Sequence, residues 1–255
     1  MSDLLDYHDA LNTLLETHAP VAGTETVGLE QLDRRVLAQD VLVQYDVPAF
    51  DNSAMDGYAV CGNDCDSWQV VHRIAAGDAG AGQRLETGQA ARIFTGAPVP
   101  GGATAVLMQE KVSLDVASNR ISLPPASDGA AGVRQGLNIR YQAEELQRGA
   151  TLLPGFQRLA PAAIGLLSAQ GYTHAPCVPQ LRVAVFSSGN ELVEPGQELQ
   201  EGQIYDSNRQ MLAALLRAQG FAVHNGGILP DKLAATRAAL RQAAGNNHAI
   251  VCSGG

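Results

Sequence analysis

The sequence predicts a multidomain α/β plus β chain. An N-terminal helical segment carries an inserted small β-rich module, and an incomplete βαβαβ unit with a parallel sheet follows. Three observations lead there. From Val60 to about Leu123, short apolar runs alternate with Gly- and Pro-rich punctuation, the texture of a small barrel or sandwich. From Leu181 to Cys252, β-branched runs alternate with helical stretches, as parallel strands joined by crossover helices require. The 255 residues, 45% of them hydrophobic, suffice for more than one core.

In chain order, Ser2 and Asp3 are placed to cap a helix reaching Thr17, with Leu4, Leu11, Leu14 and Leu15 as its apolar stripe. A second helix is expected from Leu29 to Leu37, with Leu29, Leu32 and Val36 turned inward. Val41–Val43 alternates into a short strand. Further strands are expected at Trp68–Val71, Ala91–Phe94, Ala105–Met108 and Arg120–Leu123, separated by turn residues. Pro161 suits the first turn of a helix that buries Ile164, Leu166 and Leu167 and stops at Gly171. Cys177-Val178-Pro179 reads as a linker, dividing the chain into 1–176, with the β-rich module over about 46–135, and 177–255. In the second part Leu181–Phe186, Phe221–His224 and His248–Cys252 are strands, joined by helices over Arg209–Ala218 and Lys232–Ala244.

Charge and composition exclude some partners. A formal net charge of −9, from 17 cations against 26 acids, leaves too few Lys and Arg for a nucleic-acid-binding face. No apolar run approaches the roughly 18 residues of a membrane span. The first ten residues, MSDLLDYHDA, carry acids where a signal peptide carries Lys or Arg, so a cytoplasmic, soluble protein is expected. Cys61 and Cys65 form a C-x3-C pair without a second pair, and no His-x3-His spacing exists. Reduced thiols rather than a zinc site or disulfide framework are expected.

Chemistry concentrates in two places. DVPAFDNSAMDGYAV (Asp46–Val60) sets Asp46, Asp51 and Asp56 five residues apart in a largely apolar stretch. That spacing turns neighbours by about 140° on a helix and alternates faces on a strand, so neither element aims all three at one point. Gly57 is expected to free the backbone beside Asp56. In the second part, a parallel sheet places its ligand site outside the carboxyl ends of its strands. The loops there are Ser187–Glu191, Gly226–Asp231 and Ser253-Gly254-Gly255, which gathers Glu191, Asp231 and a Ser-Gly-Gly turn suited to phosphate. Asp206, Ser207 and Asn208 precede a helix, where capping and substrate contact are both open.

DVPAFDNSAMDGYAV, RIFTGAPVPGGATAVLMQE, VAVFSSGNEL, GQIYDSNRQML, GGILPD and CSGG, in this order, resemble the MoeA family of molybdopterin molybdenumtransferases, which includes the gephyrin E domain. The resemblance implies a MogA/MoeA-like α/β domain and insertion of molybdate into adenylylated molybdopterin, with Mg2+ as helper and AMP released. It also implies a homodimer in which Asp56 shares a cleft with Glu191 of the other subunit. Carried over by motif, Asp56 places metal or phosphate, Thr95 of FTGAP hydrogen-bonds substrate, and Glu191 holds Mg2+ or a nucleotide phosphate. By the same resemblance Asp206, Ser207, Asn208, Asp231, Ser253, Gly254, Gly255 and Glu145 contact substrate, while Asp46 and Asp51 anchor their loop. The family's Arg-x-x-Gly-Glu-Asp run stands here as Arg140-Tyr-Gln-Ala143-Glu144-Glu145, which moves the carboxylate of Glu145 and puts Ala143 where glycine is usual. Segments that follow CSGG in the family are not in this sequence, and a partial chain is expected. A catalytically incomplete dimerising or binding piece is the alternative to a transferase. An acidic-cleft phosphate-ester hydrolase has only generic support.

Overall fold

The computed structural model describes residues 5–17, 23–78, 83–124 and 133–254. The chain forms two compact units. One is Leu42–Thr151, and the other joins the chain up to Val41 with the chain from Leu152 onward.

The N-terminal helix α1 (Tyr7–Thr17) is present, but Leu11, Leu14 and Leu15 are 38%, 58% and 68% exposed, so its apolar stripe lies open. Ser2, Asp3 and Leu4 fall outside the described residues. Asp6 does the capping instead, its Oδ1 accepting the His8 amide at 2.8 Å. Strand β1 (Glu25–Gly28) follows. The helix expected over Leu29–Leu37 is not formed. Only a single 3₁₀ turn, Leu29–Gln31, is present, and Arg34 then takes a left-handed φ of 62°. Leu32 and Leu37 are both fully buried, and Leu37 bridges to Cys177. An extended path meets that pairing and a helix cannot, so tertiary contacts override propensity. β2 (Val41–Leu42) ends this stretch.

The unit Leu42–Thr151 is built on β3 (Asn52–Ser53), β4 (Gly57–Val60), β5 (Ser67–Ile74), β6 (Gln89–Ile93), β7 (Ala105–Met108), β8 (Ser113–Asp115), β9 (Arg120–Ser122) and β10 (Ile139–Arg140). Six of these make one mixed sheet in the order β7-β4-β6-β5-β9-β8, and β3 pairs with β10. Both faces are covered. Tyr58, Val60, Ala90, Ala105 and Leu107 pack on one side, and Ala59, Ile74, Ala91, Ile93 and Val106 on the other. Trp68 is fully buried and donates Nε1–H to the Cys61 carbonyl at 3.0 Å, which satisfies its one polar atom. Gly57 is needed for a reason other than turn freedom. A Cβ there would lie 1.8 Å from the Leu107 carbonyl oxygen on the neighbouring strand, so only glycine lets β4 and β7 approach.

The other unit continues with β11 (Thr151–Leu153), α2 (Pro161–Ala169) and β12 (His174–Cys177), which pairs with β1. Pro161 opens α2, and Leu167 is fully buried beside Leu32, Leu37, Leu159 and Ala163. Leu166 is 43% exposed, contrary to expectation, because Ala163 and Leu167 occupy the inward face. The α/β part then comprises β13 (Arg182–Ser188), β14 (Leu192–Val193), β15 (Ile204–Tyr205), α3 (Asn208–Ala218), β16 (Ala222–Leu229), α4 (Leu233–Asn246) and β17 (Ala249–Ser253). Its parallel sheet has the order β16-β13-β17. The first crossover runs from β13 to β16 and the second back from β16 past β13 to β17, so right-handed connections put α3 and α4 on opposite faces. That order reverses between β13 and β17, opening a crevice at their carboxyl ends.

Candidate functional site

That crevice is a cavity of about 530 Å³. Ser187, Ser188 and Gly189 line it from the end of β13, Ser253 and Gly254 from the end of β17, and Ser207 and Asn208 from the start of α3. Glu191, Asp206 and Asp231 supply its carboxylates. Two glycines make room. A Cβ on Gly189, whose φ is 145°, would lie 2.4 Å from Glu191 Oε2, and one on Gly254 would lie 2.2 Å from Ser188 Oγ. The first-turn amides of α3 lack intrahelical acceptors and give this wall a partial positive charge.

The three carboxylates are placed differently. Asp206 is buried and saturated. Its Oδ2 accepts from Ser187 Oγ at 2.6 Å and Arg209 Nε at 2.7 Å, and its Oδ1 accepts the Arg209 amide at 3.2 Å. Asp206 thus holds an amide in the first turn of α3 from the residue before the N-cap, Ser207, which makes no side-chain cap bond itself. Burial pushes the Asp206 carboxyl up, but the bonds from Ser187 and Arg209 outweigh it and hold the group below the usual range. Asp231 and Asn190 exchange a reciprocal pair, each backbone amide donating to the other's side chain at 3.3 Å. Lys232, not Asp231, stands at the N-cap of α4, and no side-chain cap bond is made there. Glu191 is exposed over Gly189, and its carbonyl accepts the Ile204 amide at 2.9 Å, which ties β14 to β15.

Asp56, Thr95 and Glu145 belong to the other compact unit. Asp56 Oδ1 accepts both the Thr95 amide and the Thr95 hydroxyl at 2.8 Å. Those two bonds, helped by the Arg92 charge, hold the Asp56 carboxyl below the usual aspartate range, so it is ionised. Arg92 lies against the rings of Tyr58 and Phe94, 5.1 and 4.6 Å from their centroids, and donates to the Gly57 carbonyl at 2.7 Å. Asp46 and Asp51 anchor their loop: Asp46 accepts the Arg148 amide at 2.7 Å and Gln142 Nε2 at 2.8 Å, and Asp51 accepts the Gln142 amide at 2.8 Å. Glu145 is ion-paired with Arg140, and Ala143 sits at φ 61° in the left-handed region.

The α/β cavity thus brings together Glu191, Asp206, Ser207, Asn208, Asp231, Ser253 and Gly254, while Gly255 lies outside the described residues. Residues not singled out from the sequence are Arg209, Glu194 and Asn225, which stand behind the cavity wall. One signal was available: an arginine in a first helical turn opposes the dipole and is better placed beside an acid, here Asp206 three residues before it.

Comparison with known proteins decides the family. The family described as "MoeA N-terminal region (domain I and II)" matches residues 5–171, and "Probable molybdopterin binding domain" matches residues 184–255. The chain belongs to the MoeA family. A molybdopterin molybdenumtransferase of Haemophilus influenzae is 36% identical to this MoeA-family chain over 258 residues, covering 99% of it and 61% of the relative. Molybdopterin molybdenumtransferase 2 of Mycobacterium tuberculosis is 39% identical over 244 residues, covering 90% of this chain and 56% of the relative. The crystal structure of a molybdopterin biosynthesis MoeA protein from Pyrococcus horikoshii superposes with a TM-score of 0.88 at 30% identity, covering 99% of this chain and 67% of that one. This MoeA chain therefore spans about 61% and 56% of the length of these two curated relatives, whose name is that of an enzyme.

Proposed function

We propose that this chain serves molybdenum cofactor biosynthesis, holding the adenylylated pterin during Mg2+-dependent insertion of molybdate into molybdopterin with release of AMP. One observation carries the proposal: a cavity lined both by the first residues of α3 and by two accessible carboxylates. Amides attract a phosphate, whereas Glu191 and Asp231 repel it unless a divalent cation lies between.

The residues fit Mg2+ on those terms. Among the described residues no group of three or more His, Cys, Asp and Glu side chains gathers to cage a metal. Mg2+ needs no such cage, since it is held through one or two carboxylates plus substrate phosphate and water. Glu191 and Asp231 are the exposed carboxylates of the cavity and would hold it, while Asp206 is already saturated. When bound, the ion neutralises phosphate charge and makes AMP a better leaving group. Ser188 and Ser253 would offer hydroxyls to phosphate oxygens, Ser187 being already bonded to Asp206, and Ser207 and Asn208 bring the start of α3 to the cavity. Asp56, kept ionised by Thr95, belongs to this proposal as an acceptor for the reacting end of the substrate. Homodimer assembly and a cytoplasmic location belong to it through the family relationship.

The test is calorimetric titration of the chain with AMP, with and without Mg2+, then incubation with adenylylated molybdopterin and molybdate. Mg2+-dependent AMP binding that Glu191→Gln weakens about tenfold or more supports the site. Absence of AMP binding in both conditions would refute it. Binding without AMP release assigns this chain the substrate-holding task alone. Release that ignores molybdate would point to a hydrolase.

A further inference from the structure

Arg209 is the one fully buried cation among the described residues, at 1% exposure, although it stands at the positive end of the α3 dipole. Each guanidinium nitrogen reaches a different segment. Nε donates to Asp206 Oδ2 at 2.7 Å, Nη2 to Glu194 Oε1 at 2.6 Å, and Nη1 to Asn225 Oδ1. Asp206 leads into α3 and, through its bond from Ser187, fixes the end of β13. Glu194 directly follows β14, whose other end abuts Glu191. Asn225 sits at the β-bulge of β16, where the register against β13 slips past Gly226, and its Oδ1 also accepts the Gly227 amide at 3.1 Å. From that bulge the strand runs to Leu229 and on to Asp231.

We infer that Arg209 is the positioning residue of the cavity: one guanidinium clamps the segments that carry Glu191 and Asp231 to the Asp206 turn and so sets the spacing of the two carboxylates. The inference deepens the proposed function, because that spacing matters only if the carboxylates share a ligand. Stability alone explains the arrangement poorly. A buried ion pair is often replaceable by apolar side chains of similar volume. Three planar arms, each ending on a different segment beside one cavity, are what fixing a geometry requires.

Amide hydrogen exchange of the whole chain tests this, with Arg209→Lys, Glu194→Ala and Glu194→Gln alongside the unaltered protein. Glu194 is 42% exposed at its side chain, so its variants fold even if Arg209→Lys does not. Glu194→Ala should speed exchange at residues 189–194 about tenfold and leave the centre of β13 unchanged, whereas Glu194→Gln, which keeps an acceptor, should restore slow exchange. Arg209→Lys, which can fill only part of the fork, should also release residues 226–231. AMP binding in the presence of Mg2+ should weaken about tenfold in Glu194→Ala and recover in Glu194→Gln. Unchanged exchange in those segments, or a uniform rise across β13, α3 and α4, overturns the clamp. Faster local exchange with unaltered AMP affinity overturns its role in spacing the carboxylates. Should the unaltered protein bind no AMP, the proposed function fails while the exchange pattern still decides the clamp.

Discussion

Two residues carry checkable chemistry of their own. The Asp56 carboxyl sits below the ordinary aspartate range because the Thr95 amide and hydroxyl both donate to it. Thr95→Val removes the hydroxyl and leaves the amide, so the Asp56 pKa should rise towards, but not reach, its usual value. An NMR pH titration of the side-chain carboxyl checks this, and Thr95→Ser should restore the low value. Ala143 occupies the left-handed region at φ 61°, a conformation glycine takes without strain. Replacing it with glycine should stabilise the protein by about 0.5–1 kcal/mol, the steric relief exceeding the added unfolded-state entropy. Urea unfolding reads the change, and a loss of stability would mean that the Cβ makes a contact worth more than the strain. At this scale much was legible. The family motifs in the sequence singled out Asp56 and Thr95, which the structure shows in contact, and set apart Asp46 and Asp51, which bond within their loop. The sequence could not show that Thr95 turns its hydroxyl on Asp56, since the two lie 39 positions apart.

At the scale of elements, α3 and the turn before it bind the cavity wall together. Asp206 has a lowered pKa in the fold, so its ionised form contributes stability that is fully present above its unfolded pKa, near 3.9. That contribution is lost as pH falls through the lower, folded value. Asp206→Asn should therefore flatten the acid limb of a plot of melting temperature against pH, while lowering the melting temperature at neutral pH. Breaking a buried pair by removing one partner costs about 3–5 kcal/mol. If the acid limb is unchanged, another group governs it. The parallel strands and both crossover helices were legible because buried β-branched runs and helical periodicity differ so clearly. Strand β4 was not, since all four of its residues are buried and no alternation marks it. The missing helix after Leu29 failed differently: its leucines fit a helical stripe, and only pairing with distant residues draws Leu37 into an extended path.

At the scale of the whole molecule, one unit is continuous in sequence and the other is interrupted by it. The continuous unit owns its apolar clusters and a six-stranded sheet, so residues 42–151 expressed alone should unfold in a single cooperative transition. A thermal scan without a transition would show that it depends on the rest of the chain. The order of synthesis adds something about the cavity. Strand β13 sits between β16 and β17, and its Val183 must wait for Ala249, emerging long afterwards, before its second edge is paired. Until then a nascent chain exposes an open strand edge next to Ser187 and Ser188, the kind of surface on which chaperones and misassembly compete. Ser253 and Gly254 join the crevice only when β17 docks, so a ligand that needs them binds after that late pairing.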